Sequence, residues 1–380
     1  MEAAVLSHPA MFAHRLITEP EIIPVVERRP TLRAADVQWI NPLEHVNWDA
    51  QLTEQNHSDC SFFHRAAWAN VLADTYGYEP IYVVGHQPGI LRSFIPFMEV
   101  RSAFTGNRGI GLPFTDKCEP LCADKSDFAD LFRTSVELGK MRKWRYLEFR
   151  GGDSLFGGVE PSASYYGHRL TLPANENDYF AQLKGPVRRA VRKAEKSGVR
   201  VDISRERDAI KGFYTLHCKT RRKHGLPPQS FSFFKNIHKQ ILEKGLGVIV
   251  LARWKRKPIA GAVFFHTGDT AIYKFGASDD HFLDLRGNNL VFWEGIRWFL
   301  HRGAKTLDLG RTSLHNQGLR RFKLGWNATE TSIGYFRFSL KLERFIRAKD
   351  DSSGWHNHAF NALPLFASRM IGKVLYRHWA

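Results

Sequence analysis

The sequence has no long apolar run, few cysteines, and too little acid to balance its base. No hydrophobic stretch reaches the roughly 18 residues that a membrane-crossing helix needs. Between Met1 and Thr18, Phe12, Leu16 and Ile17 stand scattered rather than forming the continuous apolar centre of a secretion signal. A cytoplasmic protein is therefore expected, with contact to the inner membrane face left open. Cys60, Cys118, Cys122 and Cys218 offer no metal-site spacing beyond Cys118-x-x-x-Cys122, which has no second ligand pair nearby. Reduced thiols and no metal are expected. Lys and Arg number 55 against 38 Asp and Glu, a formal net charge of +17. That excess favours an anionic partner, whether nucleic acid, phosphorylated substrate or acidic membrane surface.

What is present is enough for two domains: 380 residues, 43% of them hydrophobic. Residues 1–35 carry Pro9, Pro20, Pro24 and Pro30 with little periodicity and read as an irregular arm. Residues 41–54 look helical. A second helix over 61–76 follows from the shared face of Phe62, Ala66, Ala69 and Leu72, and Gly77 stops it. Strands over 81–84 and 90–100, a helix over 127–140 and a strand over 146–149 complete a first unit. The second half repeats this order, with a helix over 232–243, a hairpin from 248 to 265, a strand over 270–275, a helix over 289–301 and a strand over 306–309. An offset of about 160–170 residues between the two series marks a duplicated domain. The expected class is α/β (α+β): two tandem units, each a mixed, largely antiparallel sheet flanked by helices, spanning 36–170 and 171–340, with a basic amphipathic tail over 341–380.

Between the units lies the most basic stretch, Lys184 to Gly198. Pro186 suits a first helical turn and Gly198 a C-terminal cap, while Val187, Ala190, Val191 and Ala194 line one face. Arg188, Arg189, Arg192 and Lys193 take the other sides, where they can hold phosphates or simply remain solvated. Further on, Leu319-Arg320-Arg321-Phe322-Lys323-Leu324-Gly325-Trp326 sets a lysine beside an aromatic wall and a flexible glycine. A cation so placed stabilises charge developing on a carbonyl oxygen far more than water does, although a solvated surface cluster has the same spelling.

Taken together, Pro186 to Val199, Phe213-Tyr214-x-Leu216 with Thr220, Gly225-Leu226-Pro227-Pro228, Ile259-Ala260-Gly261-Ala262, Tyr273-x-Phe275-Gly276-Ala277-Ser278, Leu290 to Trp298, Leu307-Asp308-Leu309-Gly310 and Phe322-Lys323-x-Gly325-Trp326 resemble the Fem-type branch of the GNAT-like acyltransferases. That branch contains the peptidoglycan-bridge aminoacyltransferases and related proteins of exopolysaccharide gene clusters. The resemblance runs in order through most of residues 36–340. It implies two tandem GNAT-like domains and transfer of an acyl or aminoacyl group to an amine. The donor would be acyl-CoA or another acyl thioester, or alternatively an aminoacyl-tRNA. The acceptor would be an amine-bearing envelope polysaccharide or peptidoglycan precursor. By the same resemblance, Lys323 of the Phe322-Lys323 pair stabilises the transition state.

Other positions carry chemistry less directly. Asp308 ends an apolar strand before Gly310 and Arg311, where its carboxylate either orients an amine in a cleft or caps a turn. Arg286 precedes Gly287-Asn288-Asn289 and a helix whose free amides can receive phosphate, the plainer alternative being an Asn-capped helix start. Tyr273 and His217 are candidate proton relays or half-buried core residues. The Arg/Gln-x-x-Gly-x-Gly/Ala loop of acetyl-CoA enzymes has no clear counterpart, since Gln317-Gly318-Leu319-Arg320 is only a fragment of it. A noncatalytic, nucleic-acid-binding duplication working through the basic helix is the third reading. The tail mixes Met370, Ile371, Val374 and Leu375 with Arg369, Lys373 and Arg377. It fits a helix lying on an anionic membrane or one packed on the second domain.

Overall fold

Short apolar runs bounded by turn residues become strands of one mixed sheet, and periodic apolar faces become the helices that cover it. The computed structural model describes residues 36–54, 60–87, 90–347 and 365–378. The arm expected over 1–35, and residues 348–364 and 379–380 of the tail expected over 341–380, lie outside the described residues. The first half runs β1 (Val37–Ile40), α1 (Trp48–Glu54), α2 (Ala66–Tyr76), β2 (Glu79–Gln87), β3 (Ile90–Val100), β4 (Arg108–Ile110), α3 (Lys125–Met141), β5 (Tyr146–Arg150) and β6 (Ala163–Thr171). The second continues with α4 (Glu176–Gln182), α5 (Gly185–Lys196), β7 (Arg200–Ser204), α6 (Arg207–Lys223) and α7 (Phe231–Ile237), which runs into a π turn at His238–Leu242. Then come β8 (Gly247–Trp254), β9 (Lys257–Thr267), β10 (Thr270–Ser278), α8 (Gly287–Leu300), β11 (Thr306–Ser313), α9 (Gln317–Gly325), β12 (Thr329–Ser339), β13 (Arg344–Ile346) and α10 (Leu365–His378).

The helix expected over 41–54 forms only from Trp48. Before it, the Asn41 side chain accepts from the Leu43 N–H at 3.1 Å, a local bond that competes with helix formation. Gly77 ends α2 in the left-handed conformation with φ of 70° and bonds back to Ala73, as the sequence suggests.

Each half builds the same motif. An antiparallel hairpin (β2–β3, β8–β9) is extended antiparallel by a third strand (β4, β10), and a helical crossover (α3, α8) returns the chain to a parallel fourth strand (β5, β11). The fifth strand of each motif comes from the other half. The strand that follows β5 in sequence, β6, pairs with β11, and the strand that follows β11, β12, pairs with β5. β6 and β12 also pair with each other, so the sheet is continuous through 13 strands, β1-β2-β3-β4-β5-β12-β6-β11-β10-β9-β8-β7 with β13 against β12. On one face a single core is shared, where Trp68 and Tyr76 of α2 meet Phe233 of α7. The opposite face carries two separate cores, one under α3 and one under α4, α5 and α8.

Candidate functional site

The two central strands of the second motif part company. β10 and β11 pair in parallel only from Thr270↔Thr306 to Ile272↔Asp308. Beyond that, β10 bulges between Tyr273 and Phe275 and stays with β9, while β11 bulges between Asp308 and Arg311 and stays with β6. Gly310 makes the second bulge possible, with φ of 67°, a conformation that costs a side-chain-bearing residue about 1–2 kcal/mol. The result is an open fork, and a segment of the first half enters it. Leu112 and Phe114, both at positive φ, turn the chain there, and the Tyr335 hydroxyl holds it by donating to the carbonyls of Thr115 (3.1 Å) and Asp116 (2.8 Å).

Asp116 thereby faces three cations. Its carboxylate lies 3.2 Å from Lys274 Nζ on β10 and 3.8 Å from Arg311 Nε on β11. A Cβ on Gly310 would sit 2.7 Å from Asp116 Oδ2, so glycine is needed there for approach as well as for conformation. Burial raises the Asp116 pKa, but Lys274, Arg311 and Lys323 outweigh it and hold the carboxyl below its usual range. The Lys274 side chain is 4% exposed. Its ammonium also donates to the Phe114 carbonyl at 2.7 Å and lies over the rings of Phe63 and Trp68. Burial lowers its pKa against the pull of Asp116. Arg311 lies over Tyr165 at 4.2 Å and over Tyr335 at 5.0 Å.

Lys323 approaches from α9. Asn316 starts that helix, its side chain accepting from the Leu319 N–H at 3.0 Å. Phe322 and Trp326 pack on Phe292 of α8, and Arg320 forks onto Glu330 through two 2.7 Å contacts. With both flanks tied, Lys323 turns inward and is only 2% exposed. Its Nζ donates to the carbonyls of Gly310 (2.9 Å) and Arg311 (3.0 Å) on the bulged arm of the fork. One N–H of the ammonium thus has no acceptor among the described residues. Burial lowers the Lys323 pKa to about 8, with Asp116 and Asp308 pulling it back and Arg311 and Lys274 pushing it further down. The solvated-cluster alternative for this lysine does not hold.

Asp308 accepts the Gly310 N–H at 2.7 Å, the capping alternative, and burial raises its pKa even though that bond lowers it. Phe322 forms part of the wall. Tyr273 sits where the fork opens, against Phe264 and Phe292, and burial pushes its hydroxyl up to about 12. His217 is a satisfied core residue: it is buried, bonds Gln229 at 2.8 Å and is pushed down to about 3 by burial.

The remaining predicted residues stand elsewhere. Arg286 adopts left-handed geometry with φ of 57° and occupies the N-cap of α8 without a side-chain cap bond, so the Asn-capped start is corrected: Asn288 and Asn289 lie inside the helix. Together with Gly287, Asn288, Ser278, Asp279 and Phe282 it lines a pocket of about 140 Å³ beyond the end of β10. In order along the motif this is the crossover turn, which the Gln317 fragment, now the first turn of α9, is not. Asp279 is already engaged there by Lys219 and His281, and although burial raises its pKa, those bonds bring it to about 2. On α5, Val187, Val191 and Ala194 are buried, the helix packs on α8, and Arg189, Arg192 and Lys193 point outward with Arg188 half-buried. The Arg192 guanidinium lies over Phe180.

Residues 182–325 match the acetyltransferase (GNAT) domain family. A curated relative, lipid II:glycine glycyltransferase of Staphylococcus haemolyticus (strain JCSC1435), is 22% identical over 254 residues, covering 47% of this chain. The match spans 60% of that relative's length. The crystal structure of FemX superposes with a TM-score of 0.64 at 16% identity, over 80% of this chain and 98% of FemX. The chain shares the GNAT-like fold of FemX. A tandem GNAT protein from the clavulanic acid biosynthesis pathway also shares the architecture, with a TM-score of 0.52 at 8% identity over 80% of this chain and 98% of that one.

Of the residues at the fork, the sequence reading named Lys323 and passed over Asp116 and Lys274. Lys274 had a signal, a charged residue inside the otherwise apolar run Ala271 to Ala277. Asp116 had none beyond a turn-like setting, because only the tertiary fold carries it across to the other half.

Proposed function

We propose that this protein is a Fem-type N-acyltransferase that moves an acyl or aminoacyl group onto an amine of a cell-envelope precursor. The supporting observation is the fork with a carboxylate held ionised, Asp116, facing a buried ammonium, Lys323, that keeps one N–H to give. An acceptor amine enters beside Asp116, which orients it by accepting one of its N–H groups. As the amine nitrogen attacks the donor carbonyl carbon, charge builds on the carbonyl oxygen and the spare N–H of the buried Lys323 stabilises it. The C–O or C–S bond then breaks, and the leaving oxygen or sulfur receives the proton that the amine lost.

Two donors fit different parts of the surface. The outward Arg189, Arg192 and Lys193 of α5 favour aminoacyl-tRNA, a reading the glycyltransferase relative supports, with a peptidoglycan precursor as acceptor. Arg286 and the free amides at the start of α8 favour the phosphates of an acyl thioester such as acyl-CoA, with an exopolysaccharide precursor as acceptor. The test offers both labelled donors with envelope precursors to the wild type, to Lys323→Ala and to a variant with Arg188, Arg189, Arg192 and Lys193 changed to Ser. Label leaving tRNA, lost in Lys323→Ala and weakened with a reduced salt slope in the α5 variant, supports the aminoacyl reading. Label leaving the thioester with the α5 variant unaffected supports the other. RNA bound equally by Lys323→Ala with neither donor consumed overturns acyl transfer and leaves a nucleic-acid-binding protein.

A further inference from the structure

The C-terminal helix α10 has two faces of different fate. Ser368, Gly372 and Tyr376, four residues apart, form the inner stripe and are buried. The Tyr376 hydroxyl donates to the Pro227 carbonyl at 3.0 Å and accepts from Arg221. The Tyr78 hydroxyl donates to the Tyr376 carbonyl at 2.7 Å, and Arg108 donates to the His378 carbonyl at 2.6 Å. These bonds reach into both halves of the molecule and fix the rotation of the helix about its axis. The helix is therefore packed by one face, against both halves rather than the second alone.

The outer face is left with an ordered pattern. Met370 and Val374 are 69% and 62% exposed, one turn apart. The same line continues to His378, whose ring meets Phe104 edge-on at 5.0 Å, and Phe104 is itself 80% exposed. Beside it, Arg369, Lys373 and Arg377 form a parallel exposed basic line, and Leu365–His378 contains no acidic residue. We propose that this face docks on an anionic lipid surface, with Met370, Val374 and Phe104 entering the headgroup layer and Lys373 and Arg377 meeting lipid phosphates. Charge complementarity argues for lipid as the occupant. An acid-free line of cations beside a narrow apolar line suits a negative surface of low polarity at its edge, and the chain's +17 charge adds attraction at a distance. A second copy of the chain would bring the same cations face to face. The inference goes beyond the acyl-transfer reading and stands without it.

The experiment is flotation of the full chain with vesicles of phosphatidylcholine alone or with 30% phosphatidylglycerol. The wild type is expected to float with the anionic vesicles only. Each cation near such a surface contributes about a fivefold factor in partitioning (about 1 kcal/mol), so Lys373→Ser/Arg377→Ser lowers the partition coefficient roughly 25-fold. The control Arg189→Ser/Lys193→Ser removes the same net charge on α5 and is expected to lower it less than threefold. Met370→Ser/Val374→Ser is expected to weaken binding at least tenfold, with its melting temperature and near-ultraviolet circular dichroism unchanged. No flotation with anionic vesicles overturns the proposal. So does equal loss in the α5 control, which would mean bulk attraction of a basic protein. A change of oligomeric state in Met370→Ser/Val374→Ser without a change in flotation would assign the face to a second copy, and overturns it too.

Discussion

Replacing Lys323 with Met separates what the residue does for folding from what it does for chemistry. The fall of its pKa from 10.5 to about 8 corresponds to about 3 kcal/mol that the folded chain spends to keep the ammonium buried at neutral pH. Methionine fills similar space without that charge, and so removes this cost. It also leaves the carbonyls of Gly310 and Arg311 without the donors that reach them now, at about 1–3 kcal/mol each. The two effects oppose, and the expected stability change at pH 7 lies between about 1 kcal/mol gained and about 3 kcal/mol lost, or at most some 4 °C in melting temperature for a cooperative unit this large. Transfer, by contrast, should fall by a factor on the order of 10² to 10³, as it does when one donor to a developing oxyanion is removed. The pH dependence carries the same logic. Because the folded-state pKa is below the unfolded one, the penalty is present in full below about pH 8 and fades as pH rises toward 10.5. Wild type should therefore gain stability relative to Lys323→Met across that window, while its turnover falls on an alkaline limb near pH 8. The assays are turnover under saturating donor and chemical denaturation at pH 7 and pH 10. A folded Lys323→Met protein with turnover within a few-fold of wild type would refute the reasoning.

Two further outcomes follow from close contacts. Gly310→Ala places a Cβ 2.7 Å from Asp116 Oδ2 at a positive φ, so transfer should drop at least tenfold with an unfolding free energy lowered by only about 1–2 kcal/mol; equal activity would show that Asp116 has no part in the reaction. Gly372→Val drives a side chain against the Pro228 carbonyl, 2.1 Å from the new Cβ. Backbone cannot yield there, so α10 should lift, with faster proteolysis after residue 364 and about 2–4 kcal/mol lost in denaturant melts.

Much of the architecture was legible because it is written locally. Gly77, Gly245 and Gly303 mark helix ends at positive φ, the hairpins alternate around short turns, and α8 shows its apolar face in Leu290, Phe292 and Ile296. Three helices were missed, α4, α6 and α9. In α6 the last turn Arg221-Arg222-Lys223 and the polar residues between Phe213 and Cys218 dilute the periodic signal, and burial against β9 and β10 decides the outcome instead. At the site, Lys323 was readable from its neighbours Phe322 and Gly325. Asp116 and Lys274 meet at 3.2 Å across 158 positions of chain, and no local pattern encodes such a meeting.

The exchanged strands have a further meaning. With β6 completing one motif and β12 the other, neither half has a finished sheet by itself, and the connectivity is that of a domain-swapped dimer written as one polypeptide. Pulling the halves apart would require breaking the β5–β12 and β6–β11 ladders first, that is, unfolding both. The two halves are therefore expected to melt as a single cooperative unit. Asp116, contributed by one half, keeps its place opposite Lys323, contributed by the other, for as long as either half is folded.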